Sequence, residues 1–339
     1  MPIQIDTQRI QISVSIGIEL TLRAGVTADE MIRNANLAML STKQNSLNRP
    51  TVFTPKLLEN IDALRFMEQE LPEAMEMGHL HLVFQPIMQA GASDHLAGFE
   101  VLCRWEHPAR GFVPPLEFIR MAEQTGLIVS LGEWVLDNAY RTLAEWRAVT
   151  PRADGVFFSV NVSPRQLQDP GFSSMVLDTV RRHDLLPGQL HLEITETAIM
   201  ESTHQTIERL RELAGLGVRI SIDDFGAGYS NLALMTKLPV SDLKIDLSLV
   251  LSMEHKPGNQ GVVRAIVTMA QSLSLDVVAE GVETASQREL LLQLGCTLHQ
   301  GYFYDRPLGA GQALDRLKAA GDTPPGNRAD ADERRNRPG

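Results

Sequence analysis

Glu100, Asn161, Glu193, Asp223 with Asp224, Lys244 with Asp246, Glu280 and Gln300 stand at or near the ends of short apolar runs in this 339-residue chain. Carboxylates and an amide oxygen are hard ligands, the set that suits Mg2+ or Mn2+. Glu100, Glu193, Asp223 and Asp224 together carry about the charge that two divalent ions neutralise. Two such ions can clamp the attacking and leaving oxygens of a phosphoester. Asp223 and Asp224 are adjacent, and neighbouring negative charges repel unless a proton or a metal sits between them. A lysine among these groups, Lys244, could orient water or stabilise developing charge. Each residue taken singly also reads as a cap or turn residue, and Asp and Gly are ordinary in turns. Their recurrence at successive run ends is what favours a common site.

The elements that would carry them alternate. Apolar runs at Leu80–Ile87, Gly98–Trp105, Val156–Val162, Leu190–Thr195, Val218–Asp223, Asp242–Leu247, Asp276–Ala279 and Thr297–Tyr304 read as strands. Amphipathic segments at Leu116–Arg147, Gly171–His183, Ser202–Leu216, Gln260–Ser272 and Ala285–Leu294 read as helices between them. Pro187-Gly188, Gly215–Gly217 and Gly295 mark returns to strand. This pattern predicts an α/β fold, a (β/α)8 barrel of the TIM type, whose strand C-termini hold the active site. Gly226-Ala-Gly228 lacks the third glycine of a dinucleotide fingerprint. Asp224-Phe225-Gly226 has no His-Arg-Asp loop beside it, which excludes a protein kinase. A Schiff-base role for Lys244 would need a desolvated, neutral amine, whereas neighbouring carboxylates favour its charged form.

Composition sets the outer bounds. With 43% hydrophobic and 22% charged residues the chain can bury a core. A formal net charge of -11 argues against a footprint for duplex nucleic acid, yet a small phosphate ligand remains compatible once metal ions reverse the local sign. Cys103 and Cys296, each in an apolar run, give neither a disulfide framework nor a zinc site. No apolar run spans a bilayer and no signal-peptide pattern opens the chain, so the expected location is cytoplasmic. His79 and His81 flank a strand without a partner at ligand spacing, and His107 precedes a proline in a turn. The segment Gly321–Gly339 has no apolar periodicity and is expected to be disordered.

Residues 1–55 read differently. Ile10, Ile12, Val14, Ile16, Ile18 and Leu20 alternate with polar residues or glycine and predict a half-buried strand. Thr27-Ala-Asp-Glu30 then forms a capping box for a helix through about Lys43. Ser15-Ile16-Gly17-Ile18 and Ala35-Asn36-Leu37-Ala38-Met39-Leu40 resemble the C-terminal end of a GGDEF (diguanylate cyclase-type) domain, with Asn36 and Leu40 in place of the usual Asp and Tyr. The Gly-Gly-Asp-Glu-Phe signature is absent, so no cyclase activity is expected and the chain reads as a fragment of a longer protein, which could be membrane-anchored upstream. Leu57, Ile61, Leu64, Leu71 and Met75 share one helical face and predict a lead-in helix.

From residue 56 to about 320 the chain resembles the EAL domain, the cyclic di-GMP phosphodiesterase family. Phe84-Gln85-Pro86-Ile87, Glu100-Val101-Leu102-Cys103-Arg104-Trp105, Asn161-Val162-Ser163 and Leu192-Glu193-Ile194-Thr195-Glu196 carry the resemblance. Asp223-Asp224-Phe225-Gly226-Ala227-Gly228-Tyr229-Ser230, Leu243-Lys244-Ile245-Asp246, Ala279-Glu280-Gly281-Val282-Glu283 and Gln300-Gly301-Tyr302 complete it. The resemblance implies hydrolysis of one phosphodiester of cyclic di-GMP to linear pGpG, with two Mg2+ or Mn2+ ions per site, a homodimer and an antiparallel first barrel strand. It implies that Glu100, Asn161, Glu193 and Asp223 are metal ligands, that Asp224 is shared with a second metal, and that Lys244 and Glu280 act with Glu100 in catalysis. Gln85, Leu102, Arg104, Gln300 and Asp246 match positions on the substrate side, and Glu196 matches the anchor of the glycine loop. Val101 replaces the family alanine, Ala227 a common threonine and Asn231 a common serine; none of these removes a ligand. The alternative is a family member that binds the nucleotide as a weak or inactive receptor.

Overall fold

The computed structural model describes residues 3–5, 8–10, 14–20, 26–44, 49–200, 202–226, 235 and 238–319. The chain divides into two compact units, Met1–Glu73 and Ala74–Gly339. The expected tail at Gly321–Gly339 and the loop positions Ala227 and Asn231 lie outside the described residues.

In the first unit the capping box is present. Glu30 N donates to Thr27 Oγ1 at 3.3 Å, Thr27 N donates to Glu30 Oε2 at 3.0 Å, and the helix Ala28–Gln44 follows. The long half-buried strand is not. Among the described residues of that stretch, Gly17–Ile18 is strand, paired in parallel with Thr51–Val52, and Ile10 ends the strand Gln8–Ile10, which pairs with Ile3–Ile5. Residues 14–16 and 19–20 are not strand, and Ile12 lies outside the described residues. Val14, Ile16 and Leu20 are 73%, 47% and 69% exposed. A two-residue pairing offers no sheet face on which an alternating pattern could be buried. Gly17 has a separate constraint, because a Cβ there would lie 2.0 Å from the Ala35 carbonyl oxygen of the helix. The lead-in helix runs Pro55–Glu76.

The second unit is a closed barrel. Its strands are β1 (Leu80–Gln89), β2 (His95–His107), β3 (Phe157–Asn161), β4 (Leu190–Thr195), β5 (Arg219–Phe225), β6 (Asp242–Ile245), β7 (Asp276–Ala279) and β8 (Leu298–Gln300). Neighbours from β2 to β8 pair in parallel. β1 closes the ring and pairs antiparallel with both β2 and β8. The cause lies in the connection. Residues 90–94, turned by Gly91 N donating to Asp94 Oδ1 at 3.0 Å, can join two strands only as a hairpin, since a parallel crossover needs a dozen residues or more.

The predicted helix Leu116–Arg147 is two helices, Pro115–Thr125 and Ile128–Val149. Gly126, at φ +86°, ends the first in the left-handed conformation that glycine adopts without a Cβ penalty. Trp146 of the second helix packs against Phe84, Phe158 and Phe99 with ring centroids 5.2, 5.3 and 5.4 Å apart. These aromatic residues lie on the helix-facing side of β1, β2 and β3. Strand alternation therefore turns Gln85 and Glu100 toward the barrel interior, which Ile87, Ala97, Phe157, Val278 and Leu298 fill on the side away from the site.

A polar network pins β8. His299 Nε2 lies 3.0 Å from the Cys296 carbonyl oxygen and Nδ1 lies 3.0 Å from the Tyr304 hydroxyl. Arg288, paired with Asp94 at 2.6 Å, also faces this cluster. Burial lowers the His299 pKa from 6.5 to about 4. The folded protein thus keeps His299 neutral where the unfolded chain would protonate it. Its contribution to stability is complete above about pH 6.5, falls between pH 6.5 and 4, and levels off below. The loss amounts to on the order of 3 kcal/mol. His299→Gln keeps a donor and an acceptor but does not titrate. The stability difference between wild type and this variant is therefore expected to shrink as urea titrations move from pH 7 to pH 4.5, and a pH-independent difference would refute the assignment.

Candidate active site

The strand ends converge on one ammonium group. Lys244 on β6 is 1% exposed. Its Nζ lies 2.6 Å from Glu280 Oε1, 2.9 Å from Glu193 Oε2, 3.4 Å from Asp223 Oδ1 and 3.5 Å from Glu100 Oε2. Burial alone would lower the Lys244 pKa, but the four carboxylates outweigh it and raise the pKa well above the usual lysine value. This lysine is charged, and the Schiff-base reading fails on that ground.

The carboxylates are not equivalent. Burial pushes Glu100 up, but Lys244 and hydrogen bonds from Gln300 and Asn161 outweigh it and leave Glu100 below the ordinary carboxylate range. Gln300 Nε2 donates to Glu100 Oε2 at 2.6 Å, and Asn161 Nδ2 donates to Glu100 Oε1 at 2.8 Å. Glu193 behaves oppositely. Its burial dominates, the neighbouring carboxylates add to it, and its pKa rises well above normal. Burial, opposed by Lys244, raises Glu280 to about 7. Asp224 is raised by burial and by the charges of Asp223 and Asp246.

The adjacent aspartates owe their common direction to a backbone irregularity. Successive strand residues face opposite sides, so a regular β5 would separate them. Asp224 instead adopts φ +55°, and the register between β5 and β6 shifts between Ile222 and Phe225. Asp224 N donates to Asp223 Oδ1 at 3.0 Å. As a result, one carboxylate oxygen each from Asp223, Asp224 and Glu280 lies within 4.8 Å of the others. Such a grouping of hard oxygens fits a divalent cation. Glu193 Oε2 is buried with no aligned hydrogen-bond donor among the described residues, which leaves a lone pair for the same purpose. With its amide nitrogen on Glu100, Asn161 keeps its oxygen as the available ligand atom.

The remaining predicted residues take varied positions. Gln85 stands opposite Glu100 in the β1–β2 ladder, and with Leu102 and Gln300 it lines a cleft of about 330 Å3. Arg104 lies four residues beyond Glu100 and donates from Nη1 to the Cys103 carbonyl oxygen at 2.9 Å. Asp246 caps the helix Leu247–Ser252 by accepting from Ser248 N at 2.9 Å. Both carboxylate oxygens of Glu196 are buried without a hydrogen-bond partner among the described residues, and the loop assigned to it lies outside them. Leu247, Leu251, Glu283 and Tyr302 also line the cleft and were not singled out by sequence reasoning. Apolar side chains on a helix after β6 carry no chemical signature, whereas Glu283 and Tyr302 end the stretches Ala279–Glu283 and Gln300–Tyr302 that the sequence did point to.

A family model described as "EAL domain" matches residues 68–307. The bifunctional diguanylate cyclase/cyclic di-GMP phosphodiesterase MucR of Pseudomonas aeruginosa is 39% identical over 317 residues, which are 92% of this chain and 45% of that protein. The cyclic di-GMP phosphodiesterase PdeR of Escherichia coli is 32% identical over 91% of this chain and 46% of its own length. The chain thus spans less than half the length of these curated relatives. Among solved structures, the PaMucR phosphodiesterase in complex with c-di-GMP has a TM-score of 0.68 at 40% identity, covering 73% of this chain and 99% of that one. The FimX EAL domain from Pseudomonas aeruginosa bound to c-di-GMP has a TM-score of 0.65 at 29% identity, covering 74% and 98%. The barrel is the fold that these structural matches share with the chain.

Proposed function

The chain belongs to the EAL domain family, and we propose that it hydrolyses one phosphodiester bond of cyclic di-GMP, leaving linear pGpG. The observation that carries this reading is the complete carboxylate cluster around Lys244. The names of the relatives, MucR and PdeR among them, support the substrate.

Glu100, Asn161, Glu193 and Asp223 would hold one divalent cation, Mg2+ or Mn2+, with Asp224 joining a second. Bound cations would supply charge neutralisation at the phosphodiester and would favour ionisation of water. The protein's own groups then act as follows. Gln300 and Asn161 keep the Glu100 carboxylate ionised and fixed in orientation. Lys244 and Glu280 position the attacking water, and Glu280, at about 7, can accept its proton near neutral pH. Gln85, Leu102, Arg104 and Asp246 contact or orient the nucleotide. We read residues 1–55 as the remnant of a GGDEF-like domain, 56–320 as the phosphodiesterase barrel, Glu196 as the anchor of the glycine loop, and the active form as a cytoplasmic homodimer. No helix among the described residues is long and apolar enough to cross a membrane.

Turnover of cyclic di-GMP to pGpG is expected with added Mg2+ or Mn2+ and not with chelator, measured by chromatography at several protein concentrations. Binding without cleavage in either metal would leave the receptor reading in its place. Intact substrate with no binding would refute both.

A further inference from the structure

Because β1 runs against the other strands, its first residues, not its last, rise at the catalytic mouth. β2 continues past Glu100 beside it. Over this stretch the ladder is regular, with Gln85 opposite Glu100, Val83 opposite Leu102 and His81 opposite Arg104. One face of the ribbon is core, where Leu80, Phe84, Phe99, Val101 and Trp105 are buried. Alternation assigns His81, Val83, Gln85, Glu100, Leu102 and Arg104 to the other face, and Gln85, Glu100 and Leu102 of that set line the cleft. Directly opposed residues have Cβ atoms about 5 Å apart. His81 and Arg104 therefore form one rung, the next beyond Val83 and Leu102 on the face that leads down to Glu100, with His79 and Glu106 beyond it.

Charge gives this rung its significance. The cleft is lined by Glu100, Asp223, Glu280 and Glu283, and the Lys244 ammonium is shared among four carboxylates. A ligand with two phosphodiesters carries two negative charges, and only one of them can sit at the carboxylate cluster with its cations. Arg104 lies roughly 13 Å along the strand from Glu100, at about 3.3 Å per residue. A ligand held at Glu100 meets the rung only if it extends along the ribbon, as a dinucleotide does. The His81 side chain is exposed, and among the described residues its imidazole makes no hydrogen bond or ion pair. Its ring nitrogens are available to an oxygen ligand.

We infer that His81 is a substrate-binding residue which, beside Arg104, donates a hydrogen bond to the phosphodiester that is not cut. The inference rests on the proposed activity for its substrate class, but its test separates the two. The dissociation constant for cyclic di-GMP is measured by calorimetry in chelator, where turnover is off, for wild type, His81→Ala and His81→Gln. Kinetics with metal are run in parallel on cyclic di-GMP and on bis(p-nitrophenyl) phosphate, which has a single phosphodiester. Loss of one charge-assisted hydrogen bond predicts about five- to twentyfold weaker binding by His81→Ala. KM for cyclic di-GMP should rise to a similar extent, with kcat unchanged. His81→Gln, which keeps a donor, should recover most of the affinity. Kinetics on bis(p-nitrophenyl) phosphate should be the same for all three proteins. Wild-type affinity in His81→Ala overturns this inference alone, as does an equal loss on the small diester. Absence of both turnover and binding of cyclic di-GMP by the wild type in Mg2+ and in Mn2+ overturns the proposed activity, and this inference with it.

Discussion

Lys244→Met is expected to slow turnover by orders of magnitude and to destabilise the metal-free protein at the same time. Methionine has a similar length and fills the same buried volume, so the change removes the charge and little else. Four carboxylates then lose their common cation, with Glu280 at 2.6 Å and Glu193 at 2.9 Å the most affected. Removing one partner from a buried ion pair costs about 3–5 kcal/mol, because the charge left behind is uncompensated. Part of this will be relieved by proton uptake, for which Glu193 and Glu280 are already inclined. The expected result is a clear drop in Tm in chelator. On the catalytic side, loss of a preorganised charge at the reacting centre predicts a fall in kcat of about 10²–10³-fold. Divalent metal should raise the Tm of the variant more than that of the wild type, since the cations would replace the missing charge. Near-normal kcat would remove Lys244 from the mechanism. An unchanged Tm in chelator would show that the cluster does not depend on it for stability.

Gly301→Ala is expected to be nearly as damaging, although the residue has no chemistry of its own. The backbone around Gly301 is interleaved with that of Val282. Val282 N donates to the Gln300 carbonyl oxygen at 3.0 Å, and Phe303 N donates to the Val282 carbonyl oxygen at 2.9 Å. A Cβ on residue 301 would lie 2.1 Å from Val282 O and 2.3 Å from Val282 N. Main-chain atoms cannot swing aside as a flexible side chain can, so both hydrogen bonds must give way. Gln300 would shift from Glu100, and Val282 would carry Glu280 with it. A stability loss of about 3 kcal/mol or more is expected from such overpacking. A displacement of about 1 Å at the reacting groups would lower kcat/KM by about 10²-fold. Gly311→Ala is the control. It lies in the helix Ala310–Ala319 with nothing within 4 Å of its Cβ position, and it should be neutral or stabilising by up to about 1 kcal/mol. If both variants melt and turn over alike, the close approach at Gly301 has no bearing on the site.

Much of this protein was legible in its sequence. Apolar runs separated by amphipathic helices forecast the barrel because crossover helices must cover a parallel sheet on its outer side. The boundaries of β4 and β7 were read to the residue. The grouping was legible too, since Glu100, Glu193, Asp223, Lys244 and Glu280 come together as strand-end position implied. The N-terminal strand was overread, because period-two alternation forecasts burial only where a sheet exists to supply the second surface. The break at Gly126 was missed, because the amphipathic pattern continues through it into the following helix.

What the sequence determined by itself was which residue types reach one end of a barrel, because strand and helix periodicities are local properties of the chain. Tertiary structure alone decided how those residues act on each other. Regular alternation would have separated Asp223 from Asp224, and the left-handed turn at Asp224 brings them to one mouth. The antiparallel direction of β1 reverses which end of that strand stands at the mouth of the cleft, so His81, unremarkable as a strand-flanking residue, is opposed to Arg104. The shifts that set Glu100 low and Glu193 high arise from burial and from partners on other strands, up to two hundred residues away in the chain. Direction, register and dielectric environment are properties of the assembled barrel, and no local pattern encodes them.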